Sequence, residues 1–179
     1  MPKNHTLQVR SARAANSQPG NGGSKKTAKD AIVLLKSDHA EVKKCFKEYE
    51  KLAKNEAPAE EKQALANKIC QMLTVHAQIE EEIFYPAARD LLGEDKSLVD
   101  EADVEHASAK DLIAQIESND PSDMHYDAKV KVLGEYIDHH VKEEQDEMFP
   151  AVKSAGMDTK AVGQQLLARK TELMGAISA

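Results

Sequence analysis

The chain has 179 residues, 31% charged and 41% hydrophobic, with no Trp, 4% aromatic residues and a formal net charge of −7. That length suits one ordinary domain and excludes a large multidomain enzyme, and the shortage of aromatic and β-branched residues favours packed helices over a sheet. No apolar run approaches the about 20 residues that span a bilayer, and two cysteines are too few for a disulfide framework or a cysteine-ligated cluster, so a reduced, cytoplasmic setting without a membrane partner is expected.

In chain order, the first 29 residues hold six Lys and Arg and no acid, around a Ser-Gln-Pro-Gly-Asn-Gly-Gly-Ser stretch at 17–24. Such a segment cannot bury enough apolar surface to offset its ordering, and residues 1–28 read as a disordered basic tail. It shares its acid-free, Arg- and Ser-containing composition with organelle transit peptides but lacks their apolar helical face. Beyond it 18 basic residues face 31 acidic ones, a balance of −13, which argues against nucleic acid as the main partner. From Asp30 the apolar spacing turns helical. Leu35, His39, Val42 and Phe46 form one stripe of a helix over about 28–54, closed by Asn55-Glu56-Ala57-Pro58. Ile69, Leu73, His76, Glu80 and Ile83 mark a second helix from about Ala59, which Pro86 should kink or deprive of its regular hydrogen bonding before Gly93 ends what continues. Val99, His106, Ile113 and Ile116 mark a third, stopped at Asn119-Asp120-Pro121; Leu133, Tyr136, His140, Glu144 and Met148 mark a fourth. Short breaks between long amphipathic helices predict an all-α, antiparallel up-and-down four-helix bundle over 29–155, with a short C-terminal helical extension in 156–179.

Seven histidines stand out in this composition, and four of them are arranged: His39, His76, His106 and His140, one on the core stripe of each helix. One histidine on an apolar face is usually an ordinary core residue. Four imidazoles with two carboxylates at one bundle centre would leave several polar groups unpaired, at about 1–3 kcal/mol each, unless a cation lies between them. The segment from His76 to Pro86 aligns without a gap on that from His140 to Pro150: both read His-x-x-x-Glu, then an aromatic, then proline. More loosely, Asp38-His39-Ala40 matches Glu105-His106-Ala107. The chain is therefore a two-fold repeat of a helix hairpin. Residues four apart share a helix face about 6 Å along the axis, so each His-x-x-x-Glu pair can reach one interior point. Four imidazoles and two glutamates exceed the needs of one tetrahedral zinc. They suit two transition-metal ions, each taking two histidines, with both glutamates bridging; iron comes first, manganese or zinc after it. The Glu-x-x-His spacing of ferritin-like bundles is absent. Because His139 and His140 are adjacent, about 100° apart on the helix, only one faces the centre, and the gap-free match selects His140 with Glu144. His5, His125 and His139 fall outside the pattern.

With these residues the sequence resembles the hemerythrin HHE cation-binding family over about residues 30–152. The resemblance implies a non-haem di-iron centre, oxo- or hydroxo-bridged and reactive with dioxygen, nitric oxide or peroxide. It would have His39 and His76 on one iron, His106 and His140 on the other, and Glu80 and Glu144 as bridges. The oxygen-carrying members have a further histidine and an aspartate where this chain has Lys110 and Gln145, so the centre here is expected to be the more symmetric one. Its four-histidine set is similar to that of bacterial di-iron proteins tied to nitrosative stress and iron–sulfur cluster repair, although their N-terminal cysteine segment is missing. Three functions follow as expectations: sensing or handling of an oxidant, with a reductase as partner; iron storage or donation to an iron-accepting protein; and a structural metal site in an interaction module. Tyr136, four residues before His140, is expected to point at the centre. Glu147, seven after it, is expected on the ligand stripe or where the helix emerges into solvent. Glu81, Glu82, Glu143 and Asp146 read as a solvated face, and Cys45 as a buried thiol without redox chemistry.

Overall fold

Asp30 starts the bundle. It sits in extended backbone, and its Oδ1 accepts from the N–H groups of Ile32 (3.0 Å) and Val33 (3.3 Å), two donors that the first turn of a helix leaves free. The computed structural model describes residues 30–93 and 96–177, so the expected tail and His5 lie outside the described residues. Helix α1 spans Ala31–Lys54, α2 Ala59–Ile79, α3 Tyr85–Leu92, α4 Ser97–Ser118, α5 Tyr126–Glu143, α6 Phe149–Ser154 and α7 Thr159–Ile177. A π-helical turn, Glu80–Phe84, joins α2 to α3, and another, Glu144–Met148, joins α5 to α6. Each pair therefore forms one long helix with a widened turn in it. Gly93 (φ 58°) and Gly156 (φ 88°) take the left-handed backbone that turns the chain after α3 and α6. Among the described residues no helix is long and apolar enough to cross a membrane.

The core shows the antiparallel order directly. It consists of two apolar clusters with a polar layer between them. Along α1 the chain passes from one cluster (Leu34, Leu35) through His39 to the other (Val42, Cys45, Tyr49). Along α2 it passes back, from Ile69 and Leu73 through His76 to Ile79 and Phe84. Helices α4 and α5 repeat this, Val99 to His106 to Ile113 and then Leu133 to His140 to Met148. These four long helices form the expected up-and-down bundle. Helix α7 lies against α1 and α2, with Leu166 fully buried.

Asp30 also holds α7, because its Oδ2 accepts from the Thr159 hydroxyl. That bond comes first in lowering the Asp30 pKa, ahead of the opposing effect of burial, and the backbone bonds from Val33 and Ile32 add to it. Asp30→Ala should cost about 1 kcal/mol in chemical denaturation. Since the folded-state pKa lies below the ordinary 3.8, the contribution is complete above that value and is lost as pH falls through the folded pKa. The difference between wild type and variant should therefore shrink in acid; a difference that grew there would contradict the assignment.

Candidate metal centre

The two π turns set the face that the site uses. In each, the last N–H reaches back five residues instead of four: Tyr85 to the carbonyl of Glu80, Phe149 to that of Glu144. The wider ring precedes a proline, Pro86 or Pro150, which lacks a donor and crowds the turn before it. The regular bonding thus gives way in the turn ahead of the proline, one of the two effects expected of Pro86. Beyond each π turn the helix face is displaced by one residue. Ile83 is left half-buried and Glu147 exposed, whereas Phe84, Tyr85, Met148 and Phe149 are buried.

All six predicted residues meet in the polar layer, and all are buried. The Nε2 atoms of His39 and His76 are 3.0 Å apart, and those of His106 and His140 are 3.1 Å apart. Two nitrogens bound to one ion at about 2.1 Å, roughly at right angles, stand about 3 Å apart, so each pair has the spacing of neighbouring ligands. Glu80 Oε2 lies 3.2 Å from His76 Nε2 and 3.6 Å from His106 Nε2. Glu144 Oε2 lies 3.3 Å from His39 Nε2 and 3.8 Å from His140 Nε2. Each glutamate therefore faces one histidine of each pair, the position of a bridge. Among the described residues both oxygens of Glu80 and Oε2 of Glu144 accept no hydrogen bond, although the carboxylates are at most 1% exposed. Unpaired buried carboxylate oxygens are costly, and a pair of cations among them removes the cost. The donor set fits a di-metal site of iron or a similar ion.

An outer ring of polar groups holds the imidazoles. His76 Nδ1 faces Asp38 Oδ2 at 3.5 Å, His106 Nδ1 faces Glu81 Oε1 at 3.0 Å, and His140 Nδ1 faces Glu105 Oε2 at 2.7 Å. The Gln145 amide nitrogen lies 3.0 Å from His39 Nδ1. A carboxylate that accepts from Nδ1–H fixes the tautomer with the Nε2 lone pair turned inward. Without metal the charges settle among themselves. Burial disfavours the charged form of His76, yet Glu80, Asp38 and Glu144 raise its pKa to about 10. Burial prevails for His106, whose pKa falls; for His140 the Glu105 bond and the charges of Glu144 and Glu80 outweigh burial, and it rises. Burial works against the Glu144 anion, but His39, His140 and His76 bring its pKa down to about 2.

The structure corrects two expectations about the surroundings. Tyr136 does not reach the centre: the buried line runs Leu133, Ile137, His140, Glu144, and Tyr136 falls on its flank, half-exposed in a groove between α4 and α5 beside Val104 and His139. The hydroxyl that does reach it belongs to fully buried Tyr85, 3.1 Å from His106 Nε2 and donating to Glu144 Oε1 at 3.2 Å. The aromatic before the repeated proline was its only signal in the sequence, and the five-residue offset from Glu80 required the π turn. Nor is Glu81 merely solvated, since it joins His106 to Lys110 (Nζ to Oε1, 2.7 Å). Lys110 thus lines the space beside the four histidines while its ammonium is held by Glu81. His139 is exposed and pairs with Glu143 at 3.2 Å, His125 is exposed before α5, and Cys45 and Cys70 are free and buried.

Comparison with known proteins agrees with this architecture. A hemerythrin HHE cation binding domain-containing protein from Mycobacterium kansasii superposes with a TM-score of 0.68 at 24% identity, covering 83% of this chain and 89% of that one, and so shares the fold. A DNA nickase from Nostoc sp. is 30% identical over 132 residues, which are 74% of this chain but 36% of that protein. The hemerythrin HHE cation binding domain model matches residues 30–152, the helices and turns that carry all six clustered side chains, and the chain belongs to that family.

Proposed function

We propose that the chain holds two iron ions between His39, His76, Glu80, His106, His140 and Glu144 and binds or reacts with one small oxidant, dioxygen, nitric oxide or peroxide, in sensing or in handling oxidative or nitrosative stress. One observation carries this reading. Beside the centre is a cavity of about 20 Å³, which adjoins all four histidines and is otherwise walled mostly by apolar side chains such as Val42, Leu73, Ile113 and Ile137. It has room for about one molecule the size of water. A structural metal site has no use for such a space, and an iron donor is poorly served by ligands that are all at most 9% exposed.

Bound in its reduced form, the iron pair would supply electrons and open positions to the small molecule. The chain's part is holding and excluding. Glu80 and Glu144 keep the two histidine pairs together, and the outer carboxylates hold the Nδ1 protons of His76, His106 and His140 so that the inner nitrogens stay free. The apolar wall excludes bulk water and larger ligands. In the metal-free chain burial first, then Glu80 and Glu144, push the Tyr85 pKa well above the ordinary value, and its hydroxyl donates to Glu144 Oε1. A reductase would return the pair to its reduced state, and the free buried cysteines suit the cytoplasm. DNA stays outside this proposal, because the chain beyond residue 29 carries a balance of −13.

The test is anaerobic mixing of the reduced, iron-loaded protein with oxygen, peroxide and nitric oxide in turn. Near-ultraviolet and visible bands should change with at least one of them within the mixing experiment. A single zinc per chain without visible absorption, or iron inert to all three, would sink the reading.

A further inference from the structure

The six inner residues are two-fold symmetric, but the groups behind them are not. In the gap-free repeat Glu81 corresponds to Gln145 and Tyr85 to Phe149, while Asp38 corresponds to Glu105. The structure puts these pairs in equivalent places. Asp38 and Glu105 stand behind His76 and His140, and Glu81 and Gln145 stand behind His106 and His39. The His106–His140 side is thus backed by two carboxylates. Glu81 is paired with Lys110, and Glu105 with His139 and His140. The His39–His76 side is backed by one carboxylate, Asp38, which is paired with Lys170 of α7, and by a neutral amide. The aromatics follow the same division: the Tyr85 hydroxyl touches His106 Nε2, whereas the Phe149 ring lies parallel to His39.

We propose that the two metal positions are unequal by construction, the His106–His140 position holding its ion more tightly, and that Gln145 is the positioning residue that weakens the His39–His76 position. A carboxylate accepting from Nδ1–H makes the imidazole a stronger donor to metal and adds negative charge behind it. An amide adds no charge and is a poorer acceptor. Gln145 turns its nitrogen towards His39 Nδ1, so the amide must rotate by half a turn to accept the proton that a metal-binding His39 carries there. The inequality rests on the di-metal reading above and extends it to the order in which the positions fill.

The metal-free full-length chain, titrated with Co²⁺ and followed by visible absorption against a competing chelator, tests this. Two steps are expected, about 10-fold or more apart in affinity. Gln145→Glu should tighten the weaker step about 10-fold, and Glu81→Gln should loosen the tighter one by a similar factor. Tightening is not an outcome of damaged folding, so the first variant separates positioning from mere structural support. His39→Ala should remove the weaker step alone. Two equal steps, or a Gln145→Glu titration that matches wild type, would overturn the inequality and leave the di-metal reading standing. Fewer than two ions per chain would overturn both.

Discussion

His140→Ala is expected to break the metal pair, leaving fewer than two ions per chain after loading, whereas His139→Ala should keep both. The contrast follows from one step of about 100° around α5. His140 Nε2 stands 3.1 Å from His106 Nε2 in the buried layer, and His139 is turned out to Glu143. Stability should follow metal content. An ion that binds only the folded chain stabilises it by about 2.7 kcal/mol at a free concentration 100 times its dissociation constant. For a chain of this size that is about 5–10 °C in melting temperature. Loaded wild type and His139→Ala should gain that increment once for each of the two ions over their chelator-treated forms, and His140→Ala should gain much less. Elemental analysis with thermal unfolding measures both, and the opposite pattern would mean that the second His-x-x-x-Glu pair is His139 with Glu143.

Tyr85→Phe should retain both ions yet react with the oxidant about 10- to 100-fold more slowly, the usual scale for losing a group that supports metal ligands. The hydroxyl is within 3.2 Å of both His106 Nε2 and Glu144 Oε1, at the boundary between one histidine pair and a bridge. Without it Glu144 Oε1 loses its donor in a fully buried place, at a further cost of about 1–3 kcal/mol. Stopped-flow mixing of the reduced protein with peroxide or oxygen, with metal content determined on the same samples, separates the two effects. Unchanged rates with full metal would show that the hydroxyl only packs. Tyr136→Phe is the internal control: its ring lies half-exposed in the α4–α5 groove, and neither rate nor metal should change.

Much of this site was legible in local spacing. The 3.6-residue period carried the four long helices, and the short polar breaks carried their antiparallel order, because both depend on neighbours within a few turns. The six inner side chains were legible for a further reason: the internal repeat states them twice, and the comparison of halves chose His140 over His139. What lies around them was not legible. Tyr136 was expected inside since four residues separate it from His140, and a position 40° off a stripe is buried or exposed according to the neighbouring helix, not its own.

By itself, then, the sequence determined which residue types face the bundle centre, through helix periodicity and repetition. Only the tertiary structure decided the two π turns, whose extra residue per turn answers to the proline that follows and to packing across the bundle. That one-residue displacement brings Tyr85 and Phe149 inward and leaves Glu147 in solvent. Only the tertiary structure, too, decided which outer groups support which histidine. Glu81 reaches His106 across 25 residues and Gln145 reaches His39 across 106, and contacts between helices leave no period along the chain. The symmetry expected from the four histidines and two glutamates therefore holds for the inner layer and fails behind it, where one carboxylate has become an amide.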